Sequence, residues 1–183
     1  MDARPPACQA RASSRGLALL VSLLLAQSMS GASAQAQPAG AVSAVNPAST
    51  AGFGGIQRTL HLGGSVVRNE HVRTSADGSL QITFIDKTTL NIGPNSDVTI
   101  DEFVYDAGGN SAKMAVTMTR GLLRVVGGQA THTNNMTILT PVATVGVRGG
   151  VATVSHDPAH GTKATDLFGI MTVKGRKAVG RAS

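Results

Sequence analysis

The stretch LQITFI, residues 80–85, limits what this chain can fold into more than any other feature. Leu80, Ile82 and Phe84 fall on one side of an extended backbone, with Gln81 and Thr83 on the other, because successive side chains of a strand point to opposite faces. The alternation recurs. In VTIDEFVY, Val98 and Ile100 alternate with Thr99 and Asp101, and in KMAVTMT, Met114, Val116 and Met118 share a face. GGSVVRNEHVRT, TTLNI, GLLRVV, MTILT, ATVGVRGG, VATVSHD and DLFGIMTVKG are further strand-like runs. Turn-forming clusters separate them: SADGS, GPNSD, DAGGNSA and the pair Gly127 and Gly128. The spacing predicts about nine or ten short strands with turn signals about every ten residues. Beyond the amino-terminal region no sustained i, i+3, i+4 stripe appears, so an all-β domain with little helix is expected. Even spacing and glycine-rich corners fit a sandwich, a barrel or a β-solenoid. The apolar residues are mostly aliphatic, with four Phe, one Tyr and no Trp, which suits the narrow interior of a solenoid. A solenoid-like or sandwich-like domain is the expectation.

The first residues follow another logic. Arg4, Arg11 and Arg15 precede an apolar run over residues 16–26, and small residues follow, ending in Ala32, Ser33 and Ala34. That is the order of a secretory signal peptide. The apolar run is about half of the roughly twenty residues a spanning helix needs. Residues 1–34 are therefore expected to be cleaved near Ala34, leaving a periplasmic or secreted chain with no permanent membrane span. The one cysteine, Cys8, leaves with them, so the mature chain has no disulfide and no thiolate chemistry. An exported domain of that kind is ordinary for a bacterial periplasm. Residues 35–55 are Ala, Gly, Pro, Ser and Gln with almost no large apolar side chain, the composition of a flexible linker. The β domain is placed at residues 56–175 and a basic tail at 176–183.

The net charge of +6 divides unevenly. Residues 1–34 hold three basic and one acidic residue, +2; residues 163–183 hold five and one, +4; residues 35–162 are neutral. A nucleic-acid surface would need a clustered basic patch with stacking aromatics, and the chain has neither, so nucleic-acid binding is excluded.

Three groups of residues could carry chemistry. The first is GVRGG, with Gly146, Arg148, Gly149 and Gly150. A phosphate loop would continue into Gly-Lys-Ser or Gly-Lys-Thr and a helix, whereas a strand pattern, VATVSH, follows here. The motif reads as a corner between strands, its glycines supplying positive φ and Arg148 bracing carbonyls or a carboxylate across the turn. The second group, His156, Asp157 and His160, contains the candidate metal ligands. Pro158 makes it a loop and the set falls short of the four ligands of a structural site, so neither metal nor cofactor is expected. The third is Asp97, Asp101, Glu102 and Asp106. Glycosidase chemistry needs two carboxylates facing across a cleft, and alternation puts Asp97 and Asp101 on an outward face. The DAGGN run lacks EF-hand spacing. No G-x-S-x-G elbow is present. No catalytic residue is assigned, and the chain is not expected to be an enzyme.

DGSLQITFIDKTTLNIGPNSDVTIDEFVYD, followed about forty residues later by TPVATVGVRGG, resembles the FecR-type periplasmic domain. Asp86, Lys87 and Thr88 stand where the family has an Asp-Gly-Ser-like step; Pro94, Asn95 and Ser96 match its polar corner; Thr140, Pro141 and residues 146–149 match its Thr-Pro to Gly-Val-Arg-Gly stretch. Lys87 replaces the usual glycine and Gly150 the usual threonine. The resemblance implies an all-β domain with solenoid-like stacking and a role in envelope signalling. In full-length members it implies a cytoplasmic anti-sigma segment, one span, and this domain sensing an outer-membrane receptor; here a signal peptide is expected in front of the domain instead. The function expected is a non-enzymatic protein-interaction module whose partner is a protein of the cell envelope. The alternative is a periplasmic metal or small-ligand binding protein related to iron uptake, using His156 and His160. A third reading, from the abrupt basic end VKGRKAVGRAS, is the front piece of a longer repeat protein.

Overall fold

The computed structural model describes residues 38–46, 49–105 and 112–176. The expected signal peptide, Asp106 and residues 177–183 of the expected tail lie outside the described residues. Twelve strands and one helical turn follow in order: β1 (Pro38–Asn46), β2 (Ser49–Phe53), β3 (Ile56–Thr59), β4 (Ser65–Val67), β5 (Glu70–Thr74), β6 (Ser79–Phe84), β7 (Thr89–Ile92), β8 (Asp97–Tyr105), β9 (Ala112–Val126), α1 (Gln129–Thr133), β10 (Met136–Leu139), β11 (Ala143–Asp157) and β12 (Gly161–Gly175).

The domain is all-β, built as one curled, mainly antiparallel sheet that forms a half-barrel. Its path runs β3-β2-β5-β8-β9-β7-β6-β1-β4, with β10, β11 and β12 joined to the far side of β9. The first half of β9 lies between β8 and β10, the second between β7 and β11. Period-two patterning becomes burial directly: in β6, Leu80, Ile82 and Phe84 are buried while Ser79, Gln81 and Thr83 are half-buried. Leu90, Ile92, Val98, Ile100, Val116, Met118, Leu123 and Val125 close round them on the concave side. Phe84 and Phe103 stack with ring centroids 5.0 Å apart.

Three expectations change. The strands do not stack as the parallel coils of a solenoid: β9 and β10 form the one parallel ladder among the described residues. Turns as short as those between β6 and β7, or β11 and β12, return the chain antiparallel to itself, whereas parallel neighbours need long crossovers. The stretch read as a flexible linker holds β1 and β2. β1 sits between β4 and β6 and buries Ala39 and Val42. Its small residues are what let the backbone approach β6. A Cβ on Gly40 would lie 2.7 Å from the Thr83 carbonyl oxygen and 2.9 Å from the Phe84 Cα. Finally, runs read as separate short strands are continuous. β9, β11 and β12 are each 15 residues long. They bend at Gly121 (φ 106°), at Gly149 and Gly150 (64° and 68°), and at Gly169 (122°) instead of ending there.

Candidate interaction edge

The corners matching the family pattern are structural and tightly satisfied. The Asp86 carboxylate accepts from the Thr88 backbone N–H (3.1 Å) and hydroxyl (2.5 Å). The Thr88 hydroxyl oxygen in turn accepts from Gly128 N–H at 3.1 Å, and the Asp86 carbonyl accepts from Gln129 N–H at 2.9 Å. Asp86 and Thr88 are fully buried, so the turn between β6 and β7 is bonded to the start of α1. Lys87 sits between them at φ 70°, the left-handed conformation that glycine adopts freely, so the turn keeps its form despite the lysine. At the next corner Ser96 is buried. Its hydroxyl donates to the Gly93 carbonyl (2.8 Å) and accepts from Leu122 N–H (3.0 Å). It fills the space beside Gly121, where a Cβ would lie 2.4 Å from the Ser96 Cα.

The ionic partners of two carboxylates, Glu70 and Asp97, are not legible in the sequence. Glu70 is buried on β5, accepting from Arg58 Nε (3.1 Å) and Nη2 (2.7 Å) and from Val67 N–H (3.0 Å). On the outer face Asp97 accepts from His71 Nε2 at 2.5 Å and Arg73 Nε at 3.0 Å. Burial opposes ionisation of Asp97, but the hydrogen bond and charge of His71, with help from Thr119 and Arg73, outweigh it and hold the carboxyl below its ordinary 3.8. Asp101, on the same face of β8, accepts from the Thr117 hydroxyl at 2.7 Å. These carboxylates are engaged in structural bonds rather than paired across a cleft.

The histidine group does not converge. His156 is buried, its Nδ1 bonded to the Thr162 hydroxyl at 2.9 Å. Asp157 is exposed and organises the hairpin turn, accepting from His160 Nδ1 (2.8 Å) and from the Ala159 N–H (2.9 Å). The His160 bond first, then the turn amides, hold its carboxyl below 3.8. The open cleft beside them, about 620 Å³, is also lined by Arg120 and Lys163, whose charges disfavour a metal ion. Among the described residues no group of three or more His, Cys, Asp or Glu side chains is gathered.

GVRGG lies within β11. Gly149 and Gly150 have positive φ and form a bulge at which the pairing with β12 shifts. A Cβ on Gly150 would lie 1.6 Å from the Phe168 carbonyl oxygen, so the glycine standing where the family has threonine is what lets β12 pass so close. The bracing role expected of Arg148 is not realised. Its side chain is exposed and makes no hydrogen bond or ion pair with the described residues, because on a continuous strand it points outward beside Ile170. There is no turn for it to cross.

The strand expected at DLFGIMTVKG is present as part of β12, but its place at the edge of the sheet is not legible in the sequence. Among the described residues this strand pairs with β11 alone, so the outward-facing half of its backbone N–H and C=O groups is open to another chain. Leu167 (59% exposed), Phe168 (75%), Ile170 (62%) and Val173 (55%) follow one another along it. A signal was present in DLFGIMTV, which is apolar at both parities of the strand, unlike LQITFI. Such a run reads as a strand covered on both faces; here, among the described residues, Met171 is half-buried against the core while Leu167, Phe168, Ile170 and Val173 stay exposed.

The described residues thus form a curled all-β domain with hydrogen-bonded corners and one long apolar edge strand. The family model described as FecR protein matches residues 70–166, more than half of the chain, and the chain belongs to the FecR family. No curated protein and no solved structure matches it. Among the described residues no helix is long and apolar enough to cross a membrane.

Proposed function

We propose that this chain is an exported, non-enzymatic protein-interaction module acting in bacterial envelope signalling or regulation, with a protein of the cell envelope as its partner. Membership of the FecR family supports the envelope role. The observation that carries the contact role is the β12 edge, where four large apolar side chains stand exposed on a strand with one neighbour among the described residues. Apolar surface gathered in this way is typical of a binding surface, because leaving it in water forgoes roughly 25 cal/mol for each Å² that could be covered. The metal-binding alternative has no comparable support, since His156 turns inward while Asp157 and His160 bond to each other.

The test is site-directed photocrosslinking in cells that export the protein. A photoreactive amino acid is placed in turn at Phe168, at Ile170 and at exposed Lys113 on β9. Expected is a discrete adduct with an envelope protein. Absence of protein adducts from all three positions rejects the module.

A further inference from the structure

We infer that the β12 edge receives an extended segment of its partner as an added strand, and that this segment is apolar at its centre and acidic at its flanks. The inference rests on the interaction-module reading and specifies its chemistry.

The sheet's other edges are blunted in the usual ways. β3 has four residues and carries Arg58, which is tied to Glu70; β4 has three. β12 has 15 residues, no proline, and no charged side chain between Asp166 and Lys174. Bulging at Leu167 and Gly169 interrupts it, so the regular template is the stretch from Ile170 to Lys174, paired with residues 144–148 of β11. Along that stretch the faces separate cleanly. Met171 and Val173 lie opposite Val147 and Val145, whose side chains are buried, so they continue the concave core out to the open edge. Ile170 lies opposite Arg148 on the outer face. An added strand would extend the core with alternate apolar side chains beside Met171 and Val173 and use its main-chain groups for the ladder.

Charge selects the flanks. Lys163, Lys174 and exposed Arg148 make no ion pair with the described residues, and the Arg176 guanidinium donates only to the Thr140 carbonyl at 3.2 Å. Asp166 is the single acid on β12. Strands are about 4.8 Å apart, so an arginine on β11 reaches past β12 to a carboxylate on the added strand. A second copy of this chain would bring the same excess of cations to the edge, which opposes self-pairing.

The experiment uses the exported chain and three synthetic heptapeptides, with amide hydrogen exchange and fluorescence anisotropy as readouts. The first, Glu-Val-Thr-Val-Thr-Val-Glu, is acid-flanked, with both acids on the face opposite the valines; the second has Lys in place of both Glu; the third repeats the first with alternate backbone nitrogens methylated. Expected is slowed exchange in β12 with the first peptide, at least tenfold weaker binding of the second, and no protection by the third. Arg148→Ala should weaken the first peptide several-fold and leave the second unchanged. No protection of β12 by the first peptide at millimolar concentration, equal protection by the methylated one, or a peptide-free dimer with β12 already protected would each overturn the inference. Crosslinks to an envelope protein from Lys113 but not from Phe168 would overturn it while leaving the interaction-module reading in place.

Discussion

Long strands bend through left-handed glycine in two parts of this molecule, with opposite results. At Gly121 the bend of β9 is filled by Ser96, whose hydroxyl bonds to the Gly93 carbonyl and the Leu122 N–H, and the strand is held by neighbours on both sides. At Gly149 and Gly150 the bend of β11 is matched by Gly169 of β12, and beyond it β12 runs on with Ile170 and Val173 exposed and Arg148 without a partner among the described residues. The same backbone device locks a corner in the interior and presents a strand at the edge. Neighbours, not the glycine, decide which. Changes at the first bend should therefore remove stability, and changes at the second should chiefly affect what the edge can do.

The largest effect is expected from Gly121→Ala. The new Cβ would lie 2.4 Å from the Ser96 Cα and force an L residue to φ 106°. Backbone cannot yield there, so the loss should be on the order of 3–5 kcal/mol, read by denaturant unfolding. A loss below about 1 kcal/mol would erase the distinction between the two bends. Gly150→Ala is the counterpart. Its Cβ would lie even closer to backbone, 1.6 Å from the Phe168 carbonyl oxygen. Yet β12 has one neighbour and can move away, so a smaller loss, about 1–2 kcal/mol, is expected, together with faster amide exchange confined to β12. A global loss matching that of Gly121→Ala would show that β12 belongs to the cooperative core.

Much of this arrangement was legible in the sequence. Alternation in residues 80–85, 98–101 and 114–118 identified core positions, because a half-buried strand imprints its period on the chain. Positive φ at Gly149 and Gly150 followed from the density of glycine. The rest depends on neighbours distant in sequence. Gly40 reads as linker until β6 lies beside it, and a glycine pair reads as a stop until a bulge carries the strand through. A corner would put carbonyls within reach of Arg148 and make it a brace, whereas a continuous strand points it outward. Exposure of β12 is a property of topology: a strand's own residues do not reveal whether it ends a sheet.

Two smaller changes sharpen the interior side of the comparison. Asp97, beside the Ser96 corner, has its folded-state value held below 3.8 despite burial, chiefly by His71. A depressed carboxylate adds stability above its unfolded value that is lost as pH falls through the folded value. Asp97→Asn should therefore flatten the decline in melting temperature below about pH 3.8, with little change in that slope near neutrality. An unchanged acid limb would remove Asp97 from the bonded corner. Lys87→Gly should stabilise. The φ of 70° costs an L residue about 1–2 kcal/mol, and glycine's added freedom in the unfolded chain returns roughly 0.4–1 kcal/mol of that, leaving a gain of about half a kcal/mol. Chemical denaturation with an unchanged slope would measure it. A loss would mean that the lysine side chain itself holds the turn.

The smallest effect on stability belongs to Arg148→Ala, and its smallness is the point. The side chain is exposed, has no hydrogen-bond or charge partner among the described residues, and stands on a strand whose ladder does not depend on it. Surface changes of this kind usually fall within about 0.5 kcal/mol, so the melting temperature should hold. Arg148→Lys should hold it equally, since no planar fork is in use in the free protein. The two variants should part only when an acidic strand is present, because a guanidinium binds a carboxylate in two parallel hydrogen bonds and an ammonium acts as a point charge. Lysine should then keep more of the preference for the acid-flanked peptide than alanine does. A fall in melting temperature in Arg148→Ala comparable to that of Gly150→Ala would make Arg148 part of the bend, and the edge would lose the cation that sets its choice of partner.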